Sequence, residues 1–199
     1  MGEKQVFQPL TREDRITVVL YRIGIVLSTL IIIGMALLQA TSSSDLMSSG
    51  RAVEVLAYGL YASVGMCVFF IHLYIGKIKV FLKNLYYLGL ACLAVLLYLG
   101  GGSLSGAFSQ GPYGPLLLLP LAGCLGFVTA KEAFCFRLFE GYLLAMIMPL
   151  YLLLVAGGVL AGQGASAGLV VIALMLAVFT LRKAFMPLAY DIGDKSAYQ

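Results

Sequence analysis

Residues 84–130 read NLYYLGLACLAVLLYLGGGSLSGAFSQGPYGPLLLLPLAGCLGFVTA, and no side chain in that run is charged. Lys83 and Lys131 bound it. A helix crossing the hydrocarbon layer needs about 20 apolar residues, because the layer is about 30 Å thick and each residue rises about 1.5 Å. The run therefore holds two spans joined by the Gly/Ser-rich stretch that starts at Gly100. The segment from Glu140 to Arg182 is equally free of charge between its ends and holds two more. Two further apolar segments precede Lys83. The expectation is an all-α, polytopic membrane helix bundle of six transmembrane helices in a single integral membrane domain, residues 1–199. Its spans are expected at about residues 16–40, 52–76, 85–99, 115–130, 142–161 and 166–181.

Composition agrees. Hydrophobic residues make up 61% of the chain and charged residues 11%, against roughly 45–50% and about 25% in soluble domains. The net charge of +4 is modest and needs no nucleic-acid partner to explain it. The N-terminal stretch mixes Lys4, Arg12 and Arg15 with Glu3, Glu13 and Asp14, unlike the positive flank of a cleavable signal. Anchoring is expected from the spans alone. Cys67, Cys92, Cys124 and Cys135 are isolated, so neither a C-x-x-C site nor a disulfide framework is expected.

The basic residues set the topology. Lys4, Arg12, Arg15 and Arg22 precede or open span one; Lys77, Lys79 and Lys83 follow span two; Lys131 and Arg137 follow span four; Arg182, Lys183 and Lys195 follow span six. Of the 13 Lys and Arg, Arg51 alone falls on the other side. The positive-inside rule then predicts both termini in the cytoplasm of a multi-pass inner-membrane protein.

Local signals refine the spans. Thr11 is expected to cap span one, answered by Asp14 three residues later. In span two, Glu54, Tyr58, Tyr61, Gly65 and His72 fall at helical spacing and are expected on one face, turned toward other helices. Pro120 and Pro149 are expected to kink spans four and five. Gly158 and Gly162, and Gly164 and Gly168, have G-x-x-x-G spacing, read as packing within the monomer or as a dimer contact.

The candidate functional cluster is the cytoplasmic layer of Arg22, His72, Lys131, Glu132, Cys135 and Glu140. If residues 131–140 form one helix, Glu132, Phe136 and Glu140 share a face with Cys135 beside them. Carboxylates, a thiol and His72 are a ligand set for a divalent metal. The plainer reading is structural ion pairing, with Thr129-x-x-Glu132 as a capping box and the bases and aromatics at the membrane interface. No motif implies a cofactor: H-E-x-x-H, G-x-S-x-G and a phosphate-binding glycine loop are all missing from the sequence. The spans carry no ionisable group near their middles, which argues against ion-coupled transport through a central carboxylate.

Asp14-Arg15 followed by Tyr21-Arg22-x-Gly24, then Ile71-His72-x-Tyr74, then Gly126 with Lys131-Glu132-Ala133-Phe134-Cys135-Phe136, together resemble the DUF2301 family of uncharacterised bacterial and cyanobacterial integral membrane proteins. The resemblance runs from about Thr11 to Leu154. It implies the membrane fold, a bacterial inner membrane and the cytoplasmic polar cluster, and it adds no reaction. The leading expectation is a non-enzymatic membrane protein that binds membrane lipids, membrane protein partners or a second copy through its basic, aromatic cytoplasmic face. The alternatives are a small permease for a neutral or amphipathic solute and a metal-dependent membrane enzyme using His72, Glu132, Cys135 and Glu140.

Overall fold

The computed structural model describes residues 11–41, 50–73, 75–104 and 113–191. Its elements are α1 (Arg12–Thr41), α2 (Gly50–Phe70), α3 (Gly76–Leu99), a short α4 (Tyr113–Leu117), α5 (Leu119–Phe136), α6 (Phe139–Ala156), α7 (Gln163–Ala184) and a 3-10 turn at Leu188–Asp191. Among the described residues there is no strand, and the six helices other than α4 are long and apolar enough to cross a membrane.

α1 packs along both α2 and α7. It buries Val18, Tyr21, Ile25, Ser28, Thr29, Ile32 and Ala36, which recur every three or four residues and so form one stripe. The outward faces stay apolar: Leu30, Leu37, Phe81, Leu174 and Leu181 are all more than half exposed. Water would not tolerate such a surface, whereas hydrocarbon does. Small residues set the closest helix approaches. A Cβ on Gly24 of α1 would lie 2.9 Å from the Ser63 carbonyl oxygen of α2, and one on Gly141 of α6 would lie 2.5 Å from that of Thr129 in α5. Hydroxyl pairs cross the interior, Ser28 with Ser63 at 2.8 Å and Thr29 with Thr180 at 2.6 Å.

The expected cap on α1 is present. Thr11 Oγ1 accepts from the Asp14 N–H and the Thr11 N–H donates to Asp14 Oδ2, both at 3.2 Å. Other boundaries differ from the sequence expectation. α2 ends at Phe70, and Ile71 to Leu73 are non-helical, so His72 leaves the predicted stripe. Within that stripe Tyr61 and Gly65 are buried while Tyr58 is exposed. α3 begins at Gly76, ahead of the predicted Leu85, which places Lys77, Lys79 and Lys83 on its first turns.

Pro120 sits in the first turn of α5, where it costs nothing, and a one-residue turn at Leu118 separates α5 from α4. Pro149 does lie inside a helix, α6. Gly158 and Gly162 have positive φ (72° and 52°) and form the turn after α6, so they do not face a neighbouring helix. Gly168 packs against the Tyr151 ring within the chain, a Cβ there meeting it at 2.8 Å.

The helix ends alternate. The start of α1, the end of α2, the starts of α3 and α6 and the ends of α5 and α7 meet at one end of the bundle, as contacts between Thr17 and His72, Tyr21 and Glu132, and Glu140 and Arg182 show. This basic end carries the candidate cluster.

Candidate functional site

Two carboxylates organise the basic end. Glu132, in the last turns of α5, is wholly buried. Its Oε1 accepts from the Tyr21 hydroxyl at 2.7 Å and from Lys131 Nζ at 2.7 Å, and its Oε2 pairs with Lys183 of α7. Asp191, in the 3-10 turn beyond α7, is buried as well. It pairs with Lys183 and accepts from Arg22 Nε at 2.7 Å. The same guanidinium also donates to the Met186 carbonyl at 2.6 Å and to that of Pro187 at 3.0 Å, which ties the post-α7 chain to α1.

The result is a chain of charges, Arg22–Asp191–Lys183–Glu132–Lys131, that joins α1, α5, α7 and the 3-10 turn. Aromatic faces complete the coordination of the ammonium groups. Lys183 Nζ lies 3.9 Å from the Phe136 ring centroid and Lys131 Nζ 5.4 Å from that of Tyr21. Three cations stand against two carboxylates, and each carboxylate is held by two of them. The low-dielectric surroundings strengthen each pair and make the loss of any partner costly.

The remaining predicted residues lie around this core. His72, in the non-helical link between α2 and α3, places Nε2 3.1 Å from Thr17 Oγ1. The Thr17 hydroxyl donates to the Glu13 carbonyl at 3.0 Å, which leaves its oxygen to accept from an Nε2–H tautomer. Nδ1 is then a buried lone pair with no hydrogen-bond partner among the described residues. Burial, then the nearby Lys131, hold the His72 pKa below its ordinary 6.5, with Lys79 acting in the same direction and Asp14 and Asp191 opposing.

Glu140 does not join the core. The chain breaks at Arg137, a non-glycine residue in the left-handed region (φ 54°), and Glu140 opens α6 with a two-oxygen pair to Arg182 at 2.6 and 2.8 Å. The proposed single helix over 131–140 is therefore two helix ends, and Glu132, Phe136 and Glu140 do not share a face. Thr129 is inside α5, donating to the Gly126 carbonyl at 2.9 Å, so Thr129-x-x-Glu132 is not a cap. Cys135 is exposed. Among the described residues no three His, Cys, Asp or Glu side chains gather where they could hold a metal ion. The grouping of His72, Glu132, Cys135 and Glu140 is not formed.

Sequence reasoning located Arg22, Lys131 and Glu132 and overlooked three of their partners. Lys183 was readable only as a loop charge that marks topology. Asp191 belongs to the polar tail, where no local pattern signals burial. Tyr21 stands beside Arg22 in the motif quoted above, a neighbourhood that hinted at a shared site.

A family model described as "Uncharacterized integral membrane protein (DUF2301)" matches residues 66–199. The match takes in His72, Lys131, Glu132, Lys183 and Asp191 and leaves Tyr21 and Arg22 outside it. No curated protein and no solved structure matches the chain.

Proposed function

The chain belongs to the DUF2301 family of integral membrane proteins, and from that premise we propose a non-enzymatic role: a multi-pass protein of the bacterial inner membrane that binds anionic lipid headgroups at its cytoplasmic, basic end. The observation that carries this reading is Arg137. Among the described residues it alone is a non-glycine with positive φ. That conformation costs an L-residue about 1–2 kcal/mol, which glycine would avoid. Strain retained at an exposed turn points to a use for the side chain.

Its surroundings fit a lipid phosphate. Phe134 is 79% exposed, Phe139 70% and Phe185 86%, a set of aromatics at interfacial depth. Arg12, Arg15 and Lys77 are exposed at the same end. A guanidinium matches phosphate oxygens in a two-pronged geometry, and the exposed phenylalanines beside Arg137 suit the headgroup layer of a membrane, which together favour a lipid headgroup as the occupant. The buried carboxylates, by contrast, are committed to internal pairs, which supports a structural use for them.

The test compares wild type, Arg137→Lys and Arg137→Gly in nanodiscs containing phosphatidylglycerol, with retained lipid counted by native mass spectrometry. Arg137→Gly should hold phosphatidylglycerol about fivefold more weakly, since a basic residue near an anionic surface contributes about 1 kcal/mol. It should melt no lower than wild type, because the backbone strain is relieved. Arg137→Lys, which keeps the charge and loses the two-pronged geometry, should fall between the two in retention. Equal retention by the glycine variant removes the proposal.

A further inference from the structure

The two carboxylates of the charge network are mounted differently. Glu132 is fixed within α5, whereas Asp191 stands on the 3-10 turn, reached through the non-helical residues Phe185 to Pro187. Phe185 and Pro187 are exposed, and Met186 and Leu188 are only half-buried. Among the described residues, the side-chain hydrogen bonds that hold this strap to the bundle come from Arg22 and Lys183. Asp191, the buried end of the strap, is therefore kept in place by two cations more than by apolar packing.

Those cations receive Asp191 as they would receive any two-oxygen anion. Arg22 Nε and Nη2 both point at Asp191 Oδ2, at 2.7 and 2.5 Å, and Lys183 Nζ takes Oδ1. A guanidinium on one oxygen and an ammonium on another serves a phosphate as well as a carboxylate.

Charge decides what can replace Asp191. If it left alone, Arg22, Lys131 and Lys183 would face Glu132 only, and a buried cation that loses its partner is costly. An incoming anion of one negative charge restores the balance of three cations to two anions. Opening of the strap is thus coupled to the arrival of such an anion. The position of the site supplies one. It lies where α7 ends and the exposed Phe185 follows, the depth of the headgroup layer, and the phosphodiester of an anionic lipid carries the charge required.

We propose that Arg22 and Lys183 form a phosphate site that Asp191 fills as an internal stand-in, and that a phosphate ester at the membrane surface displaces Asp191 and releases the strap. The site is separate from the Arg137 turn and does not rest on lipid binding there.

The test follows wild type and Arg137→Gly, as full chains, in phosphatidylcholine nanodiscs with and without phosphatidylglycerol. In both chains phosphatidylglycerol should speed hydrogen exchange of the backbone amides in residues 185–191 at least about threefold. Asp191→Asn, which frees the two cations, should retain phosphatidylglycerol about tenfold more tightly than its parent. It should also regain in phosphatidylglycerol most of the melting temperature that it loses in phosphatidylcholine. Adding Arg22→Gln should abolish both gains. Soluble glycerophosphoglycerol, added to phosphatidylcholine nanodiscs, separates the two sources of phosphate: the same faster exchange assigns the site to free phosphate esters, and an effect confined to the lipid assigns it to the headgroup. Exchange in residues 185–191 that neither form of phosphate speeds, or an Asp191→Asn stability loss equal in both bilayers, overturns the proposal and leaves Asp191 a fixed internal pair. The exchange measurement needs no variant, so it decides the question even where Asp191→Asn fails to fold.

Discussion

Glu132 is the residue on which the basic end depends. Removing its charge while keeping its shape leaves Arg22, Lys131 and Lys183 buried or nearly so against Asp191 alone. Breaking a buried pair typically costs about 3–5 kcal/mol, because the stranded charge loses its partner without regaining water. Glu132→Gln should therefore lower thermal stability sharply. Glu140→Gln breaks a pair whose arginine side chain is 52% exposed, and exposed pairs contribute only about 0–1 kcal/mol. The two variants, melted side by side in the same detergent, should differ widely; similar losses would mean that the buried network is not what holds α1, α5 and α7 together. His72 adds a pH dependence. Its folded pKa lies below the ordinary 6.5, so between those two values the unfolded chain binds more protons than the folded one. Stability then falls as pH drops below about 6.5 and levels off once pH passes the folded value. Thermal melts at about pH 7.5 and about pH 5.5 should show a smaller acid loss in His72→Gln than in wild type, and equal losses would rule out His72 as the source.

At the scale of elements, the close helix crossings are the most sensitive features. On α6, a Cβ at Gly141 would fall 2.5 Å from the Thr129 carbonyl oxygen and 2.9 Å from the Ala133 methyl, and neither the α5 backbone nor a methyl can rotate away. Gly141→Ala should destabilise by about 1–3 kcal/mol, the usual cost of overpacking. Gly34→Ala, which meets only the Leu56 methyls at 3.7 and 3.9 Å, should be near neutral. Helix propensity alone would favour alanine at both positions, so a comparable change in both would show that the crossing does not set the response. This contrast also marks what the sequence could reveal. Charge-free runs such as 84–130 disclosed the spans because membrane insertion depends on composition, and the Thr11–Asp14 cap was legible because both partners are local. Gly141 was not singled out, since glycine is common in membrane helices and only the packed neighbour distinguishes a tight crossing from a neutral position. The end of α2 at Phe70 was missed for a related reason. No Gly or Pro lies between Met66 and Ile75, and the link is held by the buried Ile71 and the contact of His72 with Thr17 on α1. Asp191 shows the same limit at the site. Its partners Arg22 and Lys183 come from α1 and α7, and only the assembled bundle brings them to it.

For the whole molecule, the arrangement of charge becomes an experiment on orientation. The described basic residues other than Arg51 lie on helix ends that converge, with Arg12 and Arg15 opening α1, Lys77, Lys79 and Lys83 on the first turns of α3, Lys131 and Arg137 closing α5, and Arg182 and Lys183 closing α7. Translocating that end would carry this excess of bases across the membrane, whereas retaining it sets them against anionic headgroups, which is the ground on which we propose that the basic end faces the cytoplasm. The chain carries its own reporter. Cys135 is exposed at the basic end, Cys67 and Cys124 are buried, and Cys92 lies partly buried within α3, where hydrocarbon disfavours the reactive thiolate. A membrane-impermeant maleimide should therefore modify the protein in inverted inner-membrane vesicles and not in intact spheroplasts, and Cys135→Ser should abolish the signal. Labelling from the outside would place the basic end in the periplasm. That outcome would remove the cytoplasmic setting proposed for Arg137 and its phenylalanine neighbours. Orientation thus decides which leaflet's headgroups reach Arg137, and the maleimide experiment fixes it independently of any ligand.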